Sequence, residues 1–211
     1  DKMNIIELKH EFPQLKTVIA VSKTRTAEEI KRLIDAGFRD FGENKAQELA
    51  EKAPFLDGIV WHFIGHLQTN KVKEVLAIAD FIHSVDSIKL LDTIEKEAKK
   101  QNKKINILMQ VNLANEETKF GMERSEIPAF LEAAKKCAFA QLTGIMVIGP
   151  HTDDEQEIRK VFQEAKLLQT SIQKNIPAFQ ECSMGMSADY RIALEEGATM
   201  IRIGTLLFGP R

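Results

Sequence analysis

The sequence predicts a (β/α)8 barrel, and three observations support that fold class. Short apolar runs rich in β-branched residues alternate with amphipathic helical segments along the whole chain, as in parallel βα units. Eight such runs are present in 211 residues, close to the lower limit of about 200 residues for a barrel of this kind. Polar and glycine-rich segments follow the runs, where barrels of this kind bind their ligands.

The predicted elements are spread evenly along the chain. Strands are predicted at 17–22, 38–42, 59–64, 80–85, 105–112, 141–147, 179–183 and 200–204. Helices are predicted at 26–36, 44–53, 69–79, 87–101, 125–137, 153–174 and 187–196. A doubly wound open sheet is the alternative fold, but the Gly-x-Gly-x-x-Gly fingerprint is missing. We expect one domain over residues 1–211, with no second domain after the eighth strand.

Composition excludes several classes of partner. The net charge of −2 does not favour a nucleic-acid or membrane-surface partner. No run of about 18 apolar residues predicts a membrane span, and residues 1–10 lack the apolar core of a signal peptide. Two cysteines, Cys137 and Cys182, stand far apart, which is typical of a reducing compartment. We therefore expect a cytoplasmic protein, and a monomer.

Lys23 is the first candidate for chemistry. It follows the predicted strand 17–22 and so lies at the C-terminal tip, where barrels keep their active sites. Further polar residues, such as Lys119 after the fifth strand, are predicted at the same mouth. A partly desolvated lysine amine can form a Schiff base with an aldehyde. The alternative is that Lys23 is only the first solvated residue of a loop.

The loops after the seventh and eighth strands predict a phosphate site. Barrels frequently bind phosphate between these two loops, at a helix N-terminus. Ser187 is predicted as the N-cap of the helix that follows, and Gly204 and Thr205 form a second donor-rich loop. Met186 is predicted as a wall of the same pocket. The alternative is ordinary helix capping.

Arg202 is predicted to point into the barrel. In Met200–Gly204 the alternation places Arg202 on the side opposite Ile201 and Ile203, which should face the helices. A buried guanidinium needs an acceptor, so either a carboxylate such as Glu43 pairs with it or a ligand nitrogen or anionic group does. An imine-forming lysine, a phosphate cup and an inward arginine together suggest pyridoxal 5'-phosphate. We expect no metal site, since His62 and His66 flank a strand end and not a helical turn.

Several motifs also resemble one known family, the pyridoxal phosphate homeostasis proteins, or YggS-like family. The motifs are Ala20–Thr24, Phe41–Glu48, Trp61–Lys71, Ser183–Tyr190 and Arg202–Thr205. The resemblance implies a barrel like the N-terminal domain of alanine racemase, with the cofactor linked to Lys23. It also implies a phosphate cup at Ser187, Gly204 and Thr205, a ring-nitrogen donor at Arg202, and a ring-side contact at Asn44.

Three functions are weighed. The favoured one is a protein that stores, delivers or buffers the cofactor, with pyridoxal phosphate-dependent apoenzymes as possible recipients. The second is a racemase-like enzyme of weak activity, which would need an acid or base on each face of the cofactor. An arginine at the pyridine nitrogen and the lack of a second domain both argue against it. The third is a barrel enzyme acting on another phosphorylated metabolite, with Glu43 or Asp86 as base.

Overall fold

Eight parallel strands close into a barrel in the computed structural model, which describes residues 3–117 and 120–211. Consecutive strands are neighbours, and the last strand pairs with the first. The predicted fold class is confirmed. The strands are β1 (Thr17–Val21), β2 (Asp40–Glu43), β3 (Val60–Phe63), β4 (Phe81–Val85), β5 (Ile105–Gln110), β6 (Ala140–Met146), β7 (Glu181–Ser183) and β8 (Met200–Ile203).

Helices cover the outside of the barrel. They are α1 (Ile5–Glu11), α2 (Ala27–Asp35), α3 (Ala46–Lys52), α4 (Val72–Leu76), α5 (Ile88–Lys100), α6 (Ile127–Lys135), α7 (Glu155–Gln173), α8 (Tyr190–Glu195) and α9 (Thr205–Phe208). Short 3-10 turns at Ala53–Phe55, Thr69–Lys71 and Arg124–Glu126 complete the connections. No pattern in the sequence predicts α1 or α9, because each is too short to show a helical period.

Strand alternation separates two apolar layers. Between strands and helices lie fully buried side chains such as Phe41, Phe63 and Phe162. Inside the barrel a smaller cluster contains Ile19, Leu108, Met146 and Met200. Successive strand residues point to opposite faces, so the inner cluster identifies which positions face the barrel axis.

Local signals at the helix ends are partly as predicted. The capping box of Thr26 with Glu29 opens α2, and Asp154 caps α7 through the Gln156 and Glu157 N–H groups.

Lys119, predicted at the mouth, lies outside the described residues. Within the described ranges, no helix combines the length and apolar character needed to cross a bilayer, and both cysteines are free.

Candidate functional site at the barrel mouth

Lys23 lies at the mouth formed by the C-terminal ends of the strands, two residues beyond β1. Ile19 of the same strand packs inside the barrel, and Lys23 lies four positions further on, in the turn that follows β1. The residue is half-buried, and its amine has no hydrogen-bond or ion-pair partner among the residues that the structure describes. The amine is therefore available to a ligand.

Four hydrogen-bonded side chains beside Lys23 form a group that we call the clamp, and two of them bond to the backbone on either side of Lys23: Ser22, Glu43, Glu48 and Lys52. Lys52 Nζ donates to the Ser22 carbonyl at 2.6 Å and to Glu43 Oε2 at 2.9 Å. Glu48 accepts the Thr24 N–H at 2.5 Å, and Thr24 has a φ of 64°, which is uncommon for a residue with a side chain. Such a conformation persists where surrounding contacts over-determine it, so the clamp fixes the position of Lys23.

Glu43 faces away from the mouth. Its carboxylate is fully buried and accepts hydrogen bonds from Ser22 Oγ at 2.5 Å and from Lys52. Burial raises the pKa of Glu43, and the bonds from Ser22 and Lys52 oppose that rise. The alternative prediction that Glu43 pairs with Arg202 is wrong, because the carboxylate lies on the helix side of β2 and Arg202 on the interior side.

Arg202 points into the barrel as predicted. Its backbone pairs with that of Ile19, and the whole residue is 3% exposed. Nη1 donates to Ser183 Oγ at 2.6 Å and Nη2 to the Val147 carbonyl at 3.1 Å. Burial lowers the pKa of Arg202 to about 10, so the guanidinium stays charged at neutral pH. Among the described residues no carboxylate forms an ion pair with it.

The loops after β7 and β8 meet through Ser187. Gly204 N–H points at Ser187 Oγ, with a long N···O distance of 3.4 Å. The predicted N-cap role of Ser187 is wrong: α8 begins three residues later at Tyr190, with Asp189 as its N-cap, and the Ser187 hydroxyl faces the neighbouring loop instead. Gly185 has a φ of 102°, and a Cβ there would lie 2.7 Å from that of Ala193. The two loops therefore meet at one edge of the mouth, with the Gly204 N–H beside the Ser187 hydroxyl.

Three further predicted residues border the same space. Thr205 and Met186 are exposed at the tips of the two loops, and the Met186 N–H is already bonded to Asp189 Oδ1 at 2.8 Å. Asn44 follows β2 on the interior side. A Cβ at Gly65 would clash with the Asn44 carbonyl oxygen, so glycine at position 65 permits the loop after β3 to pass close to the Asn44 backbone.

Several polar residues of the barrel interior were not predicted as site residues. His62, His83 and Ser183 are fully buried and hydrogen-bonded to one another. Inward alternation on three separate strands is the only signal that could have indicated them. His66, in contrast, is exposed and stacks on Phe120 with ring centroids 3.8 Å apart. Within the described part of the chain no group of three or more potential ligands could hold a metal ion.

The predicted residues come from four consecutive strands of the barrel, β7, β8, β1 and β2. The arrangement offers an amine without a partner among the described residues, a cationic donor inside the barrel, and a hydroxyl and a backbone N–H where two small loops meet. This set of donors suits a ligand with an electrophilic carbonyl, an acceptor atom and an anionic group. The residues therefore fit pyridoxal phosphate chemically.

Comparison with known proteins assigns the chain to one class of barrel. The family model described as alanine racemase, N-terminal domain, matches residues 2–211. An alanine racemase from Clostridium difficile 630 has a TM-score of 0.80 at 14% identity, covering 98% of this chain and 56% of its own. That likeness shows the fold alone. Fold and mouth thus define a barrel of the alanine racemase N-terminal domain class.

Relatives of higher identity define the family more narrowly. Pyridoxal phosphate homeostasis proteins from Aquifex aeolicus and Homo sapiens are each 39% identical, covering 92% of this chain and 86% and 76% of their own. The structure of PipY from Synechococcus elongatus PCC7942, with PLP bound, has a TM-score of 0.87 at 34% identity, covering 97% of this chain and 98% of that one. The chain belongs to the pyridoxal phosphate homeostasis protein family.

Proposed function

We propose that the protein binds pyridoxal 5'-phosphate as a Schiff base on Lys23 and manages the intracellular pool of this cofactor. The observation that carries the proposal is the half-buried Lys23 on a clamped loop, with no amine partner among the described residues, four positions beyond the residue whose backbone pairs with Arg202. The family of the chain and the PLP-bound structure of PipY support it. When bound, the cofactor supplies a reactive aldehyde and an electron-accepting pyridine ring.

The phosphate binds between the loops after β7 and β8 in this proposal. Ser187, Gly204 and Thr205 supply hydroxyl and N–H donors, and Met186 forms a wall beside them. Backbone donors at such loop-to-helix junctions bind anions without adding a counter-charge. The acidic side chain at this junction is Asp189, whose Oδ1 accepts a hydrogen bond from the Met186 N–H at 2.8 Å.

Arg202 donates a hydrogen bond to the pyridine nitrogen, and Asn44 contacts the ring from the side. Lys23 lies four residues beyond Ile19, whose backbone pairs with that of Arg202. The distance along the strand direction between positions 19 and 23 is at most about 13 Å. A lysine side chain, the ring and a guanidinium hydrogen bond fit within that span. Because a guanidinium can only donate, the pyridine nitrogen remains unprotonated and the ring is a weak electron sink.

A weak electron sink favours cofactor management over amino-acid catalysis. Racemisation requires stabilisation of negative charge at the substrate α-carbon, and Arg202 opposes it. Glu43, weighed as a base for another barrel chemistry, faces away from the mouth and is bonded to Ser22 and Lys52. Pyridoxal phosphate-dependent apoenzymes are the recipients that this function requires. We further infer a monomer in the cytoplasm, in keeping with the two free cysteines.

Proton exchange at the amino-acid α-carbon tests whether the protein manages the cofactor or catalyses a reaction of amino acids. Deuterium uptake from heavy water into L-alanine should proceed with the loaded protein at nearly the rate given by the free cofactor. Mass spectrometry of the amino acid measures it, with free pyridoxal phosphate at equal concentration as the control. An acceleration of about a hundredfold, the scale of a positioned acid or base, would reverse the assignment in favour of a racemase-like enzyme.

A further inference from the structure

A line of hydrogen bonds crosses the interior of the barrel and ends on Arg202. It contains one residue from each of five strands, and we call it the relay: Asp40, His62, His83, Ser183 and Arg202. His62 Nε2 lies 2.8 Å from Asp40 Oδ1, and His62 Nδ1 lies 2.8 Å from His83 Nε2. His83 Nδ1 lies 2.9 Å from Ser183 Oγ, which accepts from Arg202 at 2.6 Å. The relay thus joins the mouth to the N-terminal end of β2.

Arg202 can only donate and the Asp40 carboxylate can only accept, so with two neutral histidine rings the direction of every bond in the relay is fixed. Ser183 Oγ then accepts from Arg202, and the serine hydrogen goes to His83 Nδ1. His83 then carries its proton on Nε2 and donates to His62 Nδ1. His62 in turn carries its proton on Nε2 and donates to the Asp40 carboxylate. In this arrangement each of the four hydrogen bonds of the relay joins one donor to one acceptor.

Burial makes this arrangement restrictive. His62, His83 and Ser183 are each 0% exposed, whereas the Asp40 side chain is 31% exposed. A buried polar group without a partner destabilises the fold, so reversing one bond would leave a donor or acceptor unmet inside the barrel. Burial, with His62 and Arg202 nearby, lowers the pKa of His83 well below its usual value, which agrees with a neutral ring.

We propose that Ser183 and His83 are positioning residues, which hold Arg202 in its cofactor-facing orientation through a one-way relay ending at Asp40. This inference rests on the proposed function, since it assigns Arg202 to the pyridine ring. The relay consists only of the protein's own side chains, so in this proposal it orients the guanidinium independently of the cofactor. A protein that loads and unloads its cofactor gains affinity from such preorganisation.

The first test uses the cofactor-free wild-type protein. Side-chain ¹⁵N NMR distinguishes protonated from bare ring nitrogens of histidine, and both His62 and His83 should carry their proton on Nε2 at neutral pH. A His83 ring protonated on Nδ1, or on both nitrogens, would overturn the proposal. This measurement requires no variant and no bound cofactor.

The second test compares two serine-to-alanine variants. Ser183→Ala removes the side-chain acceptor of Arg202 and leaves only the Val147 carbonyl. His83 should then lose its single tautomer, and the dissociation constant of pyridoxal phosphate should rise about tenfold, as for one lost charge-assisted hydrogen bond. Ser84→Ala is the matched control, because Ser84 is equally buried and its hydroxyl has no partner among the described residues. That control should change neither the histidine spectrum nor the affinity.

The outcomes separate the relay from the function it serves. If wild-type protein takes up no pyridoxal phosphate, the proposed function fails, while the histidine tautomers still report on the relay. If wild-type protein binds the cofactor and Ser183→Ala binds it equally well, with an unchanged His83 signal, the relay assignment alone is refuted.

Discussion

Ser187→Asp should weaken the binding of pyridoxal phosphate about a hundredfold. The new carboxylate would lie where the proposal places the phosphate, beside Gly204 N. Two unit charges 4 Å apart repel by about 4 kcal/mol at an effective dielectric constant of 20. Ser187 is half-buried, so solvent reduces this repulsion, and about 2.7 kcal/mol corresponds to the hundredfold change. Titration of the cofactor absorbance measures the dissociation constant.

A matched charge elsewhere controls this experiment. Ser171→Asp places the same carboxylate on the exposed face of α7 and should leave the affinity unchanged. Ser187→Ala, which removes the hydroxyl without adding charge, should have a much smaller effect than Ser187→Asp. Equal affinities of Ser187→Asp and wild type would exclude the loops after β7 and β8 as the phosphate site.

Lys52→Met should reduce the free energy of unfolding by about 3 kcal/mol, because it leaves the fully buried carboxylate of Glu43 without its cation. The pKa of Glu43, which burial already raises, should rise further. A buried carboxyl with a raised pKa favours folding below its unfolded pKa and loses that contribution as the pH rises through the folded value. The deficit should therefore be larger at neutral pH than in mild acid, which urea unfolding at several pH values measures.

Lys160→Met provides the control for the loss of a lysine. Lys160 is exposed on α7, so the same substitution there should change stability by no more than about 0.5 kcal/mol. Lys52→Met should also loosen the loop of Lys23, since Lys52 bonds to the Ser22 carbonyl. A Lys52→Met protein as stable as Lys160→Met at neutral pH would show that the clamp does not hold the fold as described.

The barrel and the direction of Arg202 could be predicted because both depend on local periodicity. The direction of Arg202 follows from the alternation of only five consecutive residues around Ile201 and Ile203, and the structure has a strand, β8, at this place. The place of Lys23 just past β1 follows from the same local pattern, one apolar run, and its role as the cofactor lysine stays a prediction. These features do not depend on how distant segments meet.

The incorrect and missing predictions concern contacts between distant segments. Ser187 is a residue type typical of an N-cap, but its hydroxyl faces Gly204 of the neighbouring loop, seventeen positions further along the chain. The relay needs the register of five strands at once, which no single window of sequence contains. The pairing of Glu43 with Arg202 was a wrong alternative. Glu43 bonds instead to Lys52, a helix residue nine positions further on, and this contact is not visible in the local sequence pattern.

Borohydride reduction of the loaded protein followed by a peptide map tests the central claim most directly. Reduction should fix the pyridoxyl group on the peptide that contains Lys23, and Lys23→Ala should abolish the covalent adduct. Lys45→Ala, which removes an exposed lysine at the same mouth, should retain it fully. An adduct on Lys52 or any other lysine, or an undiminished adduct in Lys23→Ala, would contradict the account.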